Sequence, residues 1–218
     1  DFEIFLEYFL ERDYAFVTPG QVAEGLTPQK ASVLVTFDDG YHSAFRALAA
    51  LRRYGVPATF FIPSTHVAEG KAFWWDVLCR ERTRRGVSPA AIRREKAHWL
   101  GRPSADAEAH VRSEFGRSAL TASAADTARV MTPLELREFA LDPLVTLGNH
   151  TADHAILTSL DEDDVRMQIR RCQVYLASVT GKPPDAIAYP NDSRDHRIEA
   201  IARSEGLRLG MTIVPHRN

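Results

Sequence analysis

Short apolar runs alternate along this chain with stretches in which apolar residues recur every three or four positions. The runs are Val33-Leu34-Val35-Thr36-Phe37, Ala58-Thr59-Phe60-Phe61-Ile62, Leu144-Val145-Thr146-Leu147-Gly148 and Ala186-Ile187-Ala188-Tyr189. Near-continuous apolar character in so short a run suits a strand buried on both faces, as in parallel sheets. The periodic stretches predict helices over about 42–54, with Phe45, Leu48, Ala49 and Leu51 inward, and over 161–180, with Val165, Ile169, Cys172 and Leu176 inward. Gly55-Val56-Pro57 ends the first and Gly181-Lys182-Pro183-Pro184 the second. Phe2, Phe5, Leu6, Phe9 and Leu10 predict an opening helix, Tyr14 to Val17 a short strand, and Pro19 a turn or short helix. A helix near 195–205 and a strand from Leu207 to Val214 complete the series.

Strand, helix, strand in succession implies parallel neighbours joined by right-handed crossovers. The alternation breaks between residues 64 and 142, where Phe73–Arg85, 89–100 and 104–117 read as helices separated by Gly86, Gly101 and Gly116. The expected architecture is a single α/β domain over residues 1–218, a (β/α) barrel or an open sheet, with a helical insertion at about 66–142. Thr132-Pro133-Leu134-Glu135 is a capping-box helix start that leads the chain back into the strand at 144–148.

Candidate chemistry sits where the strands end. The run at 33–37 stops abruptly at Asp38-Asp39-Gly40, and a buried strand does not end in two carboxylates unless they are paired, hydrated or bound to a cation. The run at 144–148 ends at Asn149 and leads into His150-Thr151-Ala152-Asp153-His154. Two histidines four apart and a carboxylate from another strand end make a three-ligand divalent metal site with open positions, which is a catalytic arrangement. The second carboxylate is then free to act as a general base. Phe73-Trp74-Trp75-Asp76 opens the insertion, and either indole could wall a bound ring or anchor the insertion. His42 and His66 read as polar loop residues.

Composition narrows the class. A net charge of −2 argues against a nucleic-acid partner, and no apolar run reaches the length of a membrane span. Arg outnumbers Lys 23 to 4, which points to a GC-rich bacterial source. The many insertion arginines, interleaved with acids, read as a solvated helix surface. Cys79 and Cys172 fit neither a disulfide framework nor a zinc knuckle and read as inert thiols. No basic segment precedes the first apolar residues, so the start does not read as a secretory signal; the chain begins without Met, which suggests a trimmed chain, and the cytoplasm is only slightly favoured over the periplasm or secretion.

Thr36-Phe37-Asp38-Asp39-Gly40 and His150-Thr151-Ala152-Asp153-His154 resemble the first two motifs of the polysaccharide deacetylases, the NodB-homology domains of carbohydrate esterase family four. Ala188-Tyr189-Pro190-Asn191-Asp192 falls where the third motif, Arg-x-Pro-x-Gly, would stand. The resemblance implies a distorted (β/α) barrel of the NodB-homology type that removes an N-acetyl group from an amino sugar or polysaccharide. It implies Asp38 as base, Asp39, His150 and His154 as metal ligands, and the Asn191 backbone N–H as an oxyanion donor. Trp74, Trp75, Tyr189 and Pro190 are the substrate-binding candidates. Zinc is the expected metal, with cobalt, nickel or manganese compatible with an Asp-His-His set.

The chain departs from the pattern at Ala188, where Arg is expected, and at Asp192, where Gly is expected; the fourth motif is not recognisable and Val214-Pro215-His216 matches the fifth poorly. An amidase on small nitrogenous compounds, an iron oxygenase and a carbohydrate-binding pseudoenzyme are the alternatives. The α/β pattern disfavours the oxygenase, and retention of Asp38 disfavours the pseudoenzyme.

Overall fold

The computed structural model describes residues 1–26, 30–122 and 128–213. The helices are α1 (Phe2–Leu10), α2 (Pro19–Glu24), α3 (Ala44–Tyr54), α4 (Ser64–Glu69), α5 (Trp74–Arg84), α6 (Pro89–Trp99), α7 (Ser104–Phe115), α8 (Pro133–Ala140), α9 (Glu162–Thr180) and α10 (His196–Ser204). The strands are β1 (Ala15–Phe16), β2 (Ser32–Val33), β3 (Val35–Phe37), β4 (Ala58–Ile62), β5 (Val145–Asn149), β6 (Ala186–Ala188) and β7 (Leu209–Met211). The last five form one parallel sheet in the order β3-β4-β5-β6-β7, curled into a half-barrel, while β1 and β2 pair separately. The expected distorted (β/α) barrel is therefore present as an open, curled sheet.

Each of the periodic stretches becomes a helix because its apolar stripe has a sheet face to cover. Val165, Ile169, Cys172 and Leu176 of α9 are all fully buried, and burial of an aliphatic side chain is worth about 1.5–3 kcal/mol. Asp161 caps α9 through its side chain, and Gly181 ends it in the left-handed conformation. Thr132 and Glu135 form the reciprocal capping box at the start of α8, which packs on α9 and β5. No helix among the described residues is long and apolar enough to cross a membrane.

Along β4 the side chains divide by parity. Ala58, Phe60 and Ile62 join the core under the helices, whereas Phe61 packs with Ala186 and Ala188 on the concave side of the sheet. Gly148 faces the Phe61 ring so closely that an added β-carbon would lie 2.3 Å from it, so only glycine fits there. The register aligns Ile62, Asn149 and Ile187 across β4, β5 and β6. The carboxyl ends of these strands are thus level at one rim, where sites of parallel α/β barrels form.

Several expectations are corrected. The stretch 33–37 is not one strand buried on both faces: it breaks at Leu34 into β2 and β3, which belong to different sheets, and Thr36 is exposed. In α3 the buried stripe is Ala44, Leu48, Ala50 and Leu51, with Ala49 exposed and Phe45 half-buried. A one-residue shift of that kind reflects where α3 meets its neighbours, which periodicity does not specify. The last strand covers only Leu209–Met211, and the segment Val214–His216 lies outside the described residues.

Helices α5, α6 and α7 share a core of their own, built from Ala72, Trp74, Val77, Leu78, Ala107, Val111 and Leu120. Their arginines are mostly paired: Arg82 bonds Glu95 at 2.7 and 2.9 Å, and Arg112 reaches Glu108 at 3.2 Å. The solvated, acid-interleaved surface read from the sequence is what the helices present.

Candidate metal centre and active site

Three loops build the site, and each leaves the end of a strand. In a flat sheet β3 and β5 lie two strand spacings apart, about 10 Å. Curling of the sheet, together with loops that lean over the end of β4, brings their side chains together. The Asp39 Oδ1 atom lies 3.5 Å from His150 Nε2 and 3.4 Å from His154 Nε2. One ligand atom from each of the three residues falls within 4.8 Å of the others.

These spacings fit a cation. With metal–ligand bonds of about 2.0–2.1 Å, tetrahedral ligand atoms stand about 3.3–3.4 Å apart. Asp39 Oδ1 is buried and has no hydrogen-bond partner among the described residues, which is costly for a carboxylate oxygen unless something else binds it. The two contacts from imidazole nitrogens approach that oxygen without hydrogen-bond geometry. An acidic oxygen and two imidazoles converging on one point are the donor set of a divalent transition metal.

Supporting bonds and burial fix the orientation of these side chains. His150 donates from Nδ1 to the carbonyl oxygen of Ala188 at 2.7 Å, which leaves the Nε2 lone pair aimed at Asp39. At position 188, where the chain departs from the family pattern, the alanine methyl packs in the Phe61 cluster and the backbone carbonyl orients His150. Burial, aided by neighbouring His150, pushes the His154 imidazole down to about 3 and keeps it neutral. His150 is lowered by burial, but its contact with Asp39 and the charge of Asp38 outweigh that and raise it. Burial alone would raise Asp39, yet the facing imidazoles hold it below the usual carboxylate range.

Backbone strain is concentrated here. Six non-glycine residues among those described have positive φ, and five lie on the three loops: Asp39 (72°), Thr151 (61°), His154 (50°), Asn191 (53°) and Asp192 (54°). Asp and Asn tolerate this region; a β-branched threonine does not without support. Thr151 has that support. Its amide bonds Asn149 Oδ1 at 2.8 Å, its carbonyl accepts from the Ser64 amide at 3.2 Å, and its hydroxyl accepts from the Ala155 amide at 3.1 Å. Asn149 is anchored in turn by Ile169 O and Gln173 of α9, and Gln168 of α9 bonds the Asp153 amide and carboxylate. The His154 carbonyl accepts from Ser104 Oγ at 3.1 Å, so the first residue of α7 also holds this loop.

Positive φ at Asp39 turns the chain so that two adjacent carboxylates serve one site. Asp38 is exposed at the rim, and partial desolvation raises its carboxyl, opposed by His150 and reinforced by Asp39. Asn191 sits in a one-turn 3₁₀ segment, Pro190–Asp192; the Asp192 and Ser193 amides bond back to Tyr189 and Pro190, while the Asn191 amide has no partner among the described residues. An unengaged amide at a strand end is a ready oxyanion donor.

The aromatic candidates separate. Trp74 is only 5% exposed and belongs to the core of α5–α7, whereas Trp75 is half-buried with its ring 5.0 Å from that of His154. The Tyr189 ring is buried in the cluster with Ile187 and Ile198 and presses on Gly210, so its side chain is a core element; Pro190 is also buried. His66 is no loop residue. It is 2% exposed in α4, bonds Lys71 O from Nδ1 at 2.9 Å, stacks on Phe73 at 4.2 Å, and is pushed down to about 4 by burial and by Lys71. His42 is half-exposed beside Glu135 at 3.6 Å.

Sequence reasoning missed Asn149, Gln168, Gln173, Ser104 and Gly148. Asn149 and Gly148 stand next to the histidine motif in β5, whereas Ser104, Gln168 and Gln173 act from α7 and α9.

The description "polysaccharide deacetylase" belongs to the family model that matches residues 25–210. Among solved structures, the chain is similar to the deacetylase PplD of Streptococcus pyogenes, crystallised with acetate, at 18% identity and TM-score 0.64, covering 96% of this chain and 70% of that one. It is similar to IcaB from Ammonifex degensii at 19% identity and TM-score 0.62, covering 94% and 72%. It is also similar to the deacetylase domain of BpsB from Bordetella bronchiseptica at 17% identity and TM-score 0.61, covering 97% and 76%. At these identities the likeness is one of fold. A sequence search of curated proteins found no match. The family match spans the three strand ends that carry Asp38, Asp39, His150, His154 and Asn191, and the chain belongs to the polysaccharide deacetylase family of hydrolases.

Proposed function

We propose that this protein removes the N-acetyl group from an amino sugar in a polysaccharide, with a divalent metal held by Asp39, His150 and His154. The observation that carries the reading is the buried, hydrogen-bond-free Asp39 Oδ1 with an imidazole nitrogen at 3.4 and at 3.5 Å. When bound, such a metal polarises the amide carbonyl and makes water a stronger nucleophile near neutral pH. Asp38, exposed beside these residues, accepts the proton of the attacking water, and the C–N bond breaks as the amine nitrogen is protonated, by a histidine or by Asp38 returning that proton. The Asn191 amide donates to the oxygen on which negative charge develops. Trp75 offers its half-exposed indole to a sugar ring beside His154. Zinc is the metal of first choice, and cobalt, nickel or manganese suit the same donors. The helical segment of about 66–142 acts as a cap on a single catalytic domain.

The test is direct. The purified protein, stripped with chelator and reloaded with one metal at a time, is incubated with N-acetylglucosamine oligomers, and released acetate is measured. Acetate release that depends on added metal supports the reading. Metal binding without acetate release from any acetylated sugar would overturn it in favour of a carbohydrate-binding or other amidase role.

A further inference from the structure

Tyr41 follows the Asp38-Asp39-Gly40 turn directly, and three parts of the chain meet on it. Its phenol donates to Asp76 Oδ2 at 2.7 Å and accepts from Trp75 Nε1 at 3.1 Å, so one hydroxyl joins the site loop to the first turn of α5 twice. Its backbone forms an antiparallel bridge with Val130, flanked by bonds from the Met131 amide to Gly40 O and from the His42 amide to Arg129 O. Its ring lies 5.3 Å from Phe73.

The indole held by this hydroxyl is the last ring of a stack. His66 lies on Phe73 at 4.2 Å, and Phe73 lies on Trp75 at 4.4 Å with only 14° between their planes. Trp75 then meets His154 edge-on at 5.0 Å. Stacking restrains the indole against tilting, but rotation within the plane of the stack is restrained by its N–H bond. The acceptor of that bond is fixed in turn by a charge-assisted bond to Asp76. An indole whose N–H has no partner loses a stabilising contact and the angular restraint that goes with it.

We infer that Tyr41 is a positioning residue: bound to Asp76, it sets the orientation of Trp75 beside His154 and thereby determines how well the site takes an extended acetylated polymer rather than a single acetamido sugar. This rests on the proposed deacetylase reading. The ligand it favours is an oligosaccharide whose next ring stacks on the indole, because a monomer held at the metal has no second ring to place there. Phe at position 41 keeps the ring contact with Phe73 and deletes both hydrogen bonds, so it isolates the hydroxyl from the packing.

The experiment compares wild type, Tyr41→Phe, Asp76→Asn and Trp75→Phe for bound metal, for kinetics on an N-acetylglucosamine monomer and tetramer, and for indole fluorescence. Tyr41→Phe is expected to keep its metal, to raise KM for the tetramer about ten-fold, and to change kcat and the monomer KM by less than three-fold. Asp76→Asn, which retains a weaker acceptor, should shift the tetramer KM in the same direction by less. The emission change caused by Tyr41→Phe should vanish when Trp75 is also Phe, a readout independent of activity. Equal effects on monomer and tetramer, or an emission change that persists without Trp75, would overturn the assignment. A wild type that is inactive on both substrates would instead sink the deacetylase reading, and the fluorescence cycle would still decide whether Tyr41 orients Trp75.

Discussion

His150 Nδ1 donates to the carbonyl oxygen of Ala188 at 2.7 Å, and this single bond ties the histidine loop after β5 to the end of the neighbouring strand β6. A histidine so held presents one nitrogen to the ligand cluster and cannot exchange tautomers without breaking a buried bond. His150→Ala and His154→Ala are each expected to lose bound metal while retaining the wild-type circular dichroism spectrum. Elemental analysis checks this; wild-type metal content in both variants would refute the ligand set.

The two neighbouring carboxylates should behave differently. Asp38→Asn removes the basic site but not a ligand, so metal stays and turnover falls by about 10²–10⁴-fold. Asp39→Asn should weaken metal binding, with activity partly restored by excess metal. Loss of metal in the first variant and its retention in the second would reverse the roles.

Trp74 and Trp75 are adjacent in sequence, but Trp74 lies inside the core of α5–α7 while Trp75 is half-buried at its edge, beside His154. Trp74→Ala empties a packed position and should cost about 3–5 kcal/mol of stability, read as a lowered denaturation midpoint. Trp75→Ala should cost far less and should raise KM for an oligosaccharide more than for a monomer. Matching stability losses in the two variants would show that both indoles are structural.

Gly148→Ala should destabilise the sheet by about 1–3 kcal/mol, because the new methyl would collide with the Phe61 ring 2.3 Å away. Adding Phe61→Leu should recover part of the loss. Unchanged stability of Gly148→Ala in urea denaturation would show that the ring has room to move.

Acid stability should depend on Glu135, which the Arg129 guanidinium, bonded at 2.7 and 2.8 Å, helps hold down at about 2. Its folded value lies below its ordinary one, so its contribution is complete above about pH 4.5 and is lost as pH falls from there toward 2. Glu135→Gln keeps the cap of α8 but not the charge. It should lower stability by about 1 kcal/mol at pH 7, a figure reduced by solvent screening of a partly exposed pair. The gap from wild type should narrow at pH 3; a gap that is constant with pH would show that the ion pair contributes nothing.

What the chain shows by itself are the elements and the chemical types. The apolar runs at 58–62, 144–148 and 186–189 announce strands, and the stripe Val165-Ile169-Cys172-Leu176 announces the face that α9 buries. Asp-Asp-Gly and His-x-x-x-His announce a candidate cation site because both are polar clusters placed at the ends of buried segments. Local pattern suffices for these since period and turn chemistry act over a few residues. What the tertiary structure alone decided is where the side chains point and what holds them. Val35 and Val33 divide between two sheets, Trp74 turns inward while Trp75 turns toward His154, and the ring of Tyr189 enters a core rather than the cleft. The curl of the sheet carries Asp39 to within 3.5 Å of two histidines more than 100 residues away in sequence. The bonds that keep those histidines in place come from Ala188, Ser104 and the residues of α9 that hold Asn149 and Asp153. Such distances are set by the packing of whole elements against one another, and no local pattern in the chain encodes them.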